Sequence, residues 1–185
     1  MPDIQSIHYV GIDPSLTSSG LVIIGQNGIL PLCITPKILR GTERLAYIRD
    51  EVQDALPRGS TFACIEGPAM HAIGRADDLG QLRGVLLLLL YDLKIPTTII
   101  PPTVLKKFAT RHGNAKKEQV IEAALLKWGI MLNDDEADAA WLAAIAQALQ
   151  DNSIILTRPQ LEVISGIRNP KRPKSIPTFR RTNGI

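Results

Sequence analysis

"YVGIDPSLTSSG", residues 9–20, decides how the rest of the chain is read. A nearly continuous apolar run ends at Asp13, Pro14 opens a small polar loop, and a second apolar run covers Leu21 to Ile24. Strand alternation puts Tyr9, Gly11 and Asp13 on one face and His8, Val10 and Ile12 on the other. A buried carboxylate without a partner is costly, so an acid at the inner end of such a strand pairs or holds a metal ion. The same residues also read as a turn cap, because Asp before Pro commonly opens a turn. The stretch by itself leaves both readings open.

Working outward, strands are predicted over 7–13, 20–25 and 29–35, joined by the turn-like links "SLTSSG" and "QNG". Links this short imply antiparallel neighbours. Thr42 opens a helix pattern, "ERLAYIRDEVQDAL", with Leu45, Ile48, Val52 and Leu56 at helical spacing, closed by Pro57 and Gly59. "TFACIE", 61–66, is a buried strand, "DDLGQLRGVLLLLLYDL", 77–93, a helix apolar around most of its circumference, and "TTII", 97–100, a short strand. Helices follow at 102–110, 115–128 and, Ala-rich, at 134–150. This order predicts one α/β domain over 1–150 in the sequence of a ribonuclease H-like fold. Residues 151–185, with prolines and scattered charge, are expected to be an extension with little packed structure.

The 185 residues are 45% hydrophobic and only 4% aromatic, a globular, aliphatic composition that suits one domain. The formal charge of +3 is unevenly placed. Arg168, Lys171, Arg172, Lys174, Arg180 and Arg181 have no acid among them, which favours a polyanionic partner. Cys33 and Cys64 both fall in apolar strand patterns and read as buried free thiols, and no cysteine or histidine spacing suggests zinc. "MPDIQSIHYV" has no charged and apolar leader pattern, and "VLLLLLY", 85–91, is too short to span a bilayer. A reducing, cytoplasmic setting without membrane association is expected.

Three further acids draw attention. Glu66 ends its strand in "ACIEGPAM"; Asp135 and Asp138, in "NDDEADAAWLAAIA", lie three apart on one face of a helix start. Acids are favourable at a helix N-terminus, so Asp134 or Asp135 has that role open to it. Asp138 lies a turn further in. Two strand-end acids with such a pair are harder to explain by capping, and a cluster of hard oxygen ligands suits Mg²⁺ or Mn²⁺ rather than zinc.

With these residues in view, the sequence resembles a RuvC-type Holliday junction resolvase, of the ribonuclease H-like and retroviral integrase superfamily. "GIDPSLTSSG", "IEGP", "LGQLRGV", "PPTVLKKFATRHGNAKKEQV" and "DEADAAWLAAIA" are similar, in order, to the family's motifs over about residues 7–150. The resemblance implies a five-stranded mixed sheet, three antiparallel strands then parallel additions, flanked by helices. It implies Asp13, Glu66, Asp135 and Asp138 as the catalytic and metal-binding set. Two Mg²⁺ ions per site, with Mn²⁺ substituting, would be bridged by Asp13 and drive hydrolysis to 5′-phosphate and 3′-hydroxyl ends. The substrates would be four-way junctions and branched DNA.

Lys106, Lys107, Arg111, His112, Lys116 and Lys117 gather around Gly113, where backbone N–H and ammonium groups can meet phosphates; a solvated basic face is the plain alternative. By resemblance Lys106 and Lys117 approach the scissile phosphate; outside the resemblance, the charge of the tail makes Arg168, Lys171 and Arg172 further expected DNA contacts. Gly80 and Gly84, at i and i+4, let another helix come close, with Leu86, Leu87 and Leu90 meeting a twin. By resemblance this is the helix of a homodimer, whose two-fold axis matches that of the junction. The family commonly carries an aromatic after its catalytic Glu; here "GPAMHAIGR" offers only Met70, His71 or Ile73. That departure and the basic tail suit a phage or mobile-element member. The rival readings are a related nuclease acting on RNA or RNA–DNA hybrids, a non-catalytic DNA-binding protein on the same scaffold and, last, half of an actin-like ATPase.

Overall fold

The three strands around the opening stretch form as their alternation demands: β1 (Ile7–Asp13), β2 (Ser19–Gly25) and β3 (Gly28–Ile34) make an antiparallel meander. The structure, a computed structural model, describes residues 6–68 and 76–170. After α1 (Gly41–Ala55) the chain returns as β4 (Ser60–Glu66), parallel to β1. Helix α2 (Ala76–Asp92) leads to β5 (Thr97–Ile100), parallel to β4. The result is a five-stranded mixed sheet of order β3-β2-β1-β4-β5, with helices on both faces. Then come α3 (Pro102–Thr110), α4 (Lys117–Trp128), α5 (Asp134–Gln150) and α6 (Arg158–Arg168).

Alternation along β1 divides the core into two layers. Val10 and Ile12 face α1 and α2, with Leu21, Ile48, Val52, Ile65, Leu82, Leu86 and Leu90. Tyr9, Val22 and Cys64 face the layer built on α5, with Leu105, Phe108, Trp141, Leu142 and Ile145. Asp13 lies on the α5 side. Helix α5 is buried nearly all round because it crosses β1, β2 and β4 while α3, α4 and α6 cover its back.

Two glycines let α5 sit directly on the sheet. A Cβ on Gly11 would stand 1.8 Å from the Ala139 carbonyl oxygen, and one on Gly20 would stand 2.1 Å from that of Asp135. Gly20 pairs with Asp13 across β1 and β2, so the close approach delivers the start of α5 to the acid at the end of β1.

Three sequence expectations are corrected. Residues 158–168 are not loose: α6 packs on α3 and α5, and Val163 and Ile164 are buried. The apolar pairs in "LEVISGI" provide that face, which prolines nearby in the sequence obscure. Leu86 and Leu90 do not await a partner, since both are fully buried against the chain's own sheet. Cys33 is exposed, because β3 is the edge strand; only Cys64 is buried. Among the described residues no helix is long and apolar enough to cross a membrane.

Candidate active site

Parallel pairing of β1 with β4 sets their carboxyl ends side by side, the last register pair being Ile12 with Ile65. The next residue on each strand is an acid, Asp13 and Glu66, and both point to the α5 face. Crevices at the carboxyl ends of parallel strands are where α/β sheets commonly place ligands. Helix α5 then begins over this edge. Its N-cap is Asn133, whose side chain accepts from the Glu136 N–H at 2.9 Å while the Glu136 carboxylate accepts from the Asn133 N–H at 3.0 Å. Asp135 and Asp138 are therefore not needed as the cap, while the Asp134 carboxylate accepts from the first-turn N–H groups of Asp134 and Asp135.

Asp13 is buried, with 8% of its surface exposed. Burial pushes its pKa well above the usual carboxylate range, and the charges of Glu66, Asp138 and Asp135 push the same way. The two carboxyls share a hydrogen bond, which a single proton between them supplies. Glu66 is also raised by burial, against the bond from Asp13 and the charges of Arg83, Lys106 and Lys117. Asp138 rises to about 7, first from burial and then from the Glu66 charge. Asp135 is raised by burial and relieved by a hydrogen bond from Ser18 in the β1–β2 loop.

A cavity of about 240 Å³ opens between the sheet edge, α3, α4 and α5. Asp13, Glu66, Asp134, Asp138, Lys106 and Lys117 line it. Of the four acids expected from the sequence, the structure brings Asp13, Glu66 and Asp138 into this cavity, with Asp135 beside it on the Ser18 side. Asp134, expected from the sequence only as a helix-start acid, also lines the cavity and forms an ion pair with Lys117. Its proximity to Lys117 across 17 residues leaves no trace in local spacing.

The basic residues separate. Lys106 and Lys117 reach the acids. Lys107, next on α3, turns instead to Glu162 of α6 at 3.4 Å. Arg111 ends α3 in a left-handed conformation, Lys116 caps α4, and with His112 they are exposed outside the cavity. Arg168 does not project freely toward a ligand: its guanidinium donates to the carbonyls of Ala148 and Leu149 and to the Asn152 side chain, closing the C-terminus of α5. Lys171 and Arg172 lie outside the described residues, as do Met70, His71 and Ile73. Among the described residues a Cβ on Gly80 or Gly84 would meet nothing within 4 Å, and Leu87 is half-buried.

Among the described residues the donor set consists of carboxylates, with no imidazole or thiol lining the cavity, and this is the chemistry of a hard divalent cation. Gathering like charges in a buried place is unfavourable without a compensating cation, and the raised pKa values express that cost. Among the described residues no three His, Cys, Asp or Glu side chains are drawn close enough to enclose an ion by themselves. The acids stand as a bonded pair with two neighbours.

The family model of crossover junction endodeoxyribonuclease RuvC matches residues 9–149. The chain is similar to the RuvC of Anaeromyxobacter sp. (strain Fw109-5), 29% identical over 92% of this chain and 88% of that one. It is also similar to the RuvC of Thermotoga petrophila, 31% identical over 74% of this chain and 91% of that one. In three dimensions it resembles Thermus thermophilus RuvC, with a TM-score of 0.61 at 22% identity, covering 74% of this chain and 90% of the other. A structure of that protein in complex with a Holliday junction substrate matches equally, at a TM-score of 0.61 over 75% of this chain.

Proposed function

The chain belongs to the RuvC family of crossover junction endodeoxyribonucleases, and from that premise we infer that it is a metal-dependent nuclease that resolves Holliday junctions. The observation that carries the reading is the Asp13–Glu66 pair at the ends of β1 and β4, with Asp138 above it and Lys106 and Lys117 facing it across one cavity. A complete acid set of this kind has no use in a protein that only binds DNA.

Asp13, Glu66 and Asp138, with Asp135 from the Ser18 side, are the residues that would hold Mg²⁺ or Mn²⁺, two ions per site in our reading. Bound there, such ions supply Lewis acidity to the phosphate and lower the pKa of water. The chain's own residues do the rest. Lys106 and Lys117 direct two ammonium groups at the phosphodiester and stabilise its developing negative charge. The wall formed by β1, β4 and α5 limits the water around the acids, which strengthens these interactions. The ends left are a 5′-phosphate and a 3′-hydroxyl. The exposed Arg111 and Lys116 lie outside the cavity, so we assign them, together with the tail cations Lys171 and Arg172, to the junction arms.

We further infer that two copies act together through the outer side of α2. Gly80, Gly84, Leu87, Leu88 and Tyr91 fall within an arc of about 100° on the helix, opposite Leu82, Leu86 and Leu89. Leu88 is 60% exposed and Tyr91 78%, a costly stripe for a lone chain and a fitting one for a two-fold partner.

The test is cleavage of a synthetic four-way junction, a linear duplex and an RNA–DNA hybrid, each with and without Mg²⁺. Paired, symmetric, ligatable nicks in the junction alone, only with metal, are expected. Cutting of the hybrid with the junction left intact would overturn the assignment.

A further inference from the structure

We propose that Arg83 is a positioning residue for Glu66, tying the end of β4 to the helix that carries the outer apolar stripe. The proposal rests on the nuclease reading of the acid pair and adds to it a residue outside the cavity lining.

Glu66 stands at a weakly held place. The pairing of β4 with β1 ends at Ile65, one residue short of it, so on that side no ladder pair fixes its backbone. On the other side it pairs with Ile100, and the Gly67 N–H bonds the Ile100 carbonyl at 2.8 Å. The bond that completes the hold comes from α2: Arg83 Nε–H donates to the Glu66 carbonyl oxygen at 2.8 Å, in a half-buried setting. The positive guanidinium also acts on the Glu66 carboxylate itself. One group from α2 thus orients the backbone that presents the Glu66 side chain.

Arg83 sits at the border of the two sides of α2. Gly80, at i−3, belongs to the outer stripe and Leu87, at i+4, to its half-buried edge, while Leu86, at i+3, is fully buried on the sheet with Leu79, at i−4, packed beside it. A rotation or slide of α2 therefore moves the donor that sets Glu66. Lysine does not replace it, because only the guanidinium offers Nε–H in a fixed planar fork.

The experiment compares the full-length wild type with Arg83→Gln, Arg83→Lys and Glu66→Gln. Mn²⁺ binding by calorimetry without DNA, junction binding in Ca²⁺, single-turnover cleavage over a Mg²⁺ series, oligomeric state and melting are measured for each. Outer partners of metal ligands change metal affinity or activity by about 10–100-fold, and a loss of that size is expected for Arg83→Gln in both Mn²⁺ affinity and Mg²⁺ half-saturation. Arg83→Lys should lie nearer to Gln than to wild type, while both variants bind the junction and self-associate as wild type does. Unchanged metal affinity overturns the proposal. So does a loss of junction binding and melting temperature in step with cleavage, which marks a packing role alone. If Arg83→Gln does not fold, the Mn²⁺ affinity of Arg83→Lys decides. Failure of the underlying reading looks different: Glu66→Gln would then bind Mn²⁺ and cut junctions as wild type does.

Discussion

Lys117 Nζ and Asp134 Oδ2 meet at 2.5 Å across the mouth of the acid cavity, although one residue opens α4 and the other opens α5. Both side chains are substantially exposed, 67% and 42%, and exposed pairs of this kind contribute only about 0–1 kcal/mol. A phosphate can therefore displace the carboxylate. Asp134→Asn should tighten junction binding and steepen its salt dependence by up to about 0.9 in log–log slope, one more released counterion. Lys117→Ala should slow cleavage at saturating protein more than it weakens binding. Anisotropy titrations over a KCl series, with single-turnover rates, check both. Weaker binding by Asp134→Asn would mean that Asp134 presents Lys117 to the phosphate instead of competing for it.

The acid cluster should cost stability when no cation is present. Asp138 titrates at about 7 in the folded chain against a usual 3.8, so between these values the folded state holds a proton that the unfolded state lacks. The extra stability is complete below 3.8 and is lost as pH rises through about 7. Asp138→Asn should thus melt higher than wild type in EDTA at pH well above 7, and the difference should shrink as pH falls. Added Mg²⁺ should raise the wild-type melting point more than that of the variant. Scanning calorimetry across pH, with and without metal, is the measurement.

Seating α5 on the sheet should tolerate no methyl at its two closest points. Gly11→Ala and Gly20→Ala push a Cβ into backbone oxygens, and the cost should reach or exceed the roughly 1–3 kcal/mol of ordinary overpacking. Gly166→Ala is the control, because nothing lies within 4 Å of its Cβ and α6 gains about 0.5–1 kcal/mol in helix propensity. Urea unfolding of the three variants would show two losses and one gain.

Gly84→Leu separates self-association from folding. Among the described residues nothing lies within 4 Å of a Cβ on Gly84, so the larger side chain starts out into open space. The variant should melt at least as high as the isolated chain allows, yet run as a monomer in light scattering and give uncoordinated single nicks. A fully dimeric variant removes Gly84 from the interface.

The C-terminal cations should divide by function. Arg168→Ala removes the donor that closes α5 and should lower the melting temperature. Deleting 171–185 takes away Lys171, Arg172, Lys174, Arg180 and Arg181 but spares α6. It should leave melting unchanged, weaken binding to all DNA forms and flatten the salt dependence. Equal melting losses in both variants would erase the distinction.

Several features were legible in the residues themselves because they are local. Alternation over 7–13 and 20–25 puts Asp13 on one face at a strand end, and i,i+3 spacing puts Asp135 and Asp138 together at a helix start. Short links dictate the antiparallel meander, and the collinear motifs point to the family. Other features depend on side-chain direction between elements far apart in sequence, which no local period encodes. Adjacent lysines on α3 part company, Lys106 to the acids and Lys107 to Glu162, 55 residues on. Packing on the sheet buries Leu86 and Leu90 and leaves Leu88 and Tyr91 outside. Arg83 meets the Glu66 carbonyl, and Arg168 meets the end of α5, only once α2 and α6 have docked. Sequence by itself determined which residues could do the chemistry, because periodicity and residue type are properties of neighbours along the chain. Tertiary structure decided which of them meet, because the glycine contacts of Gly11 and Gly20 set how closely α5 approaches the sheet.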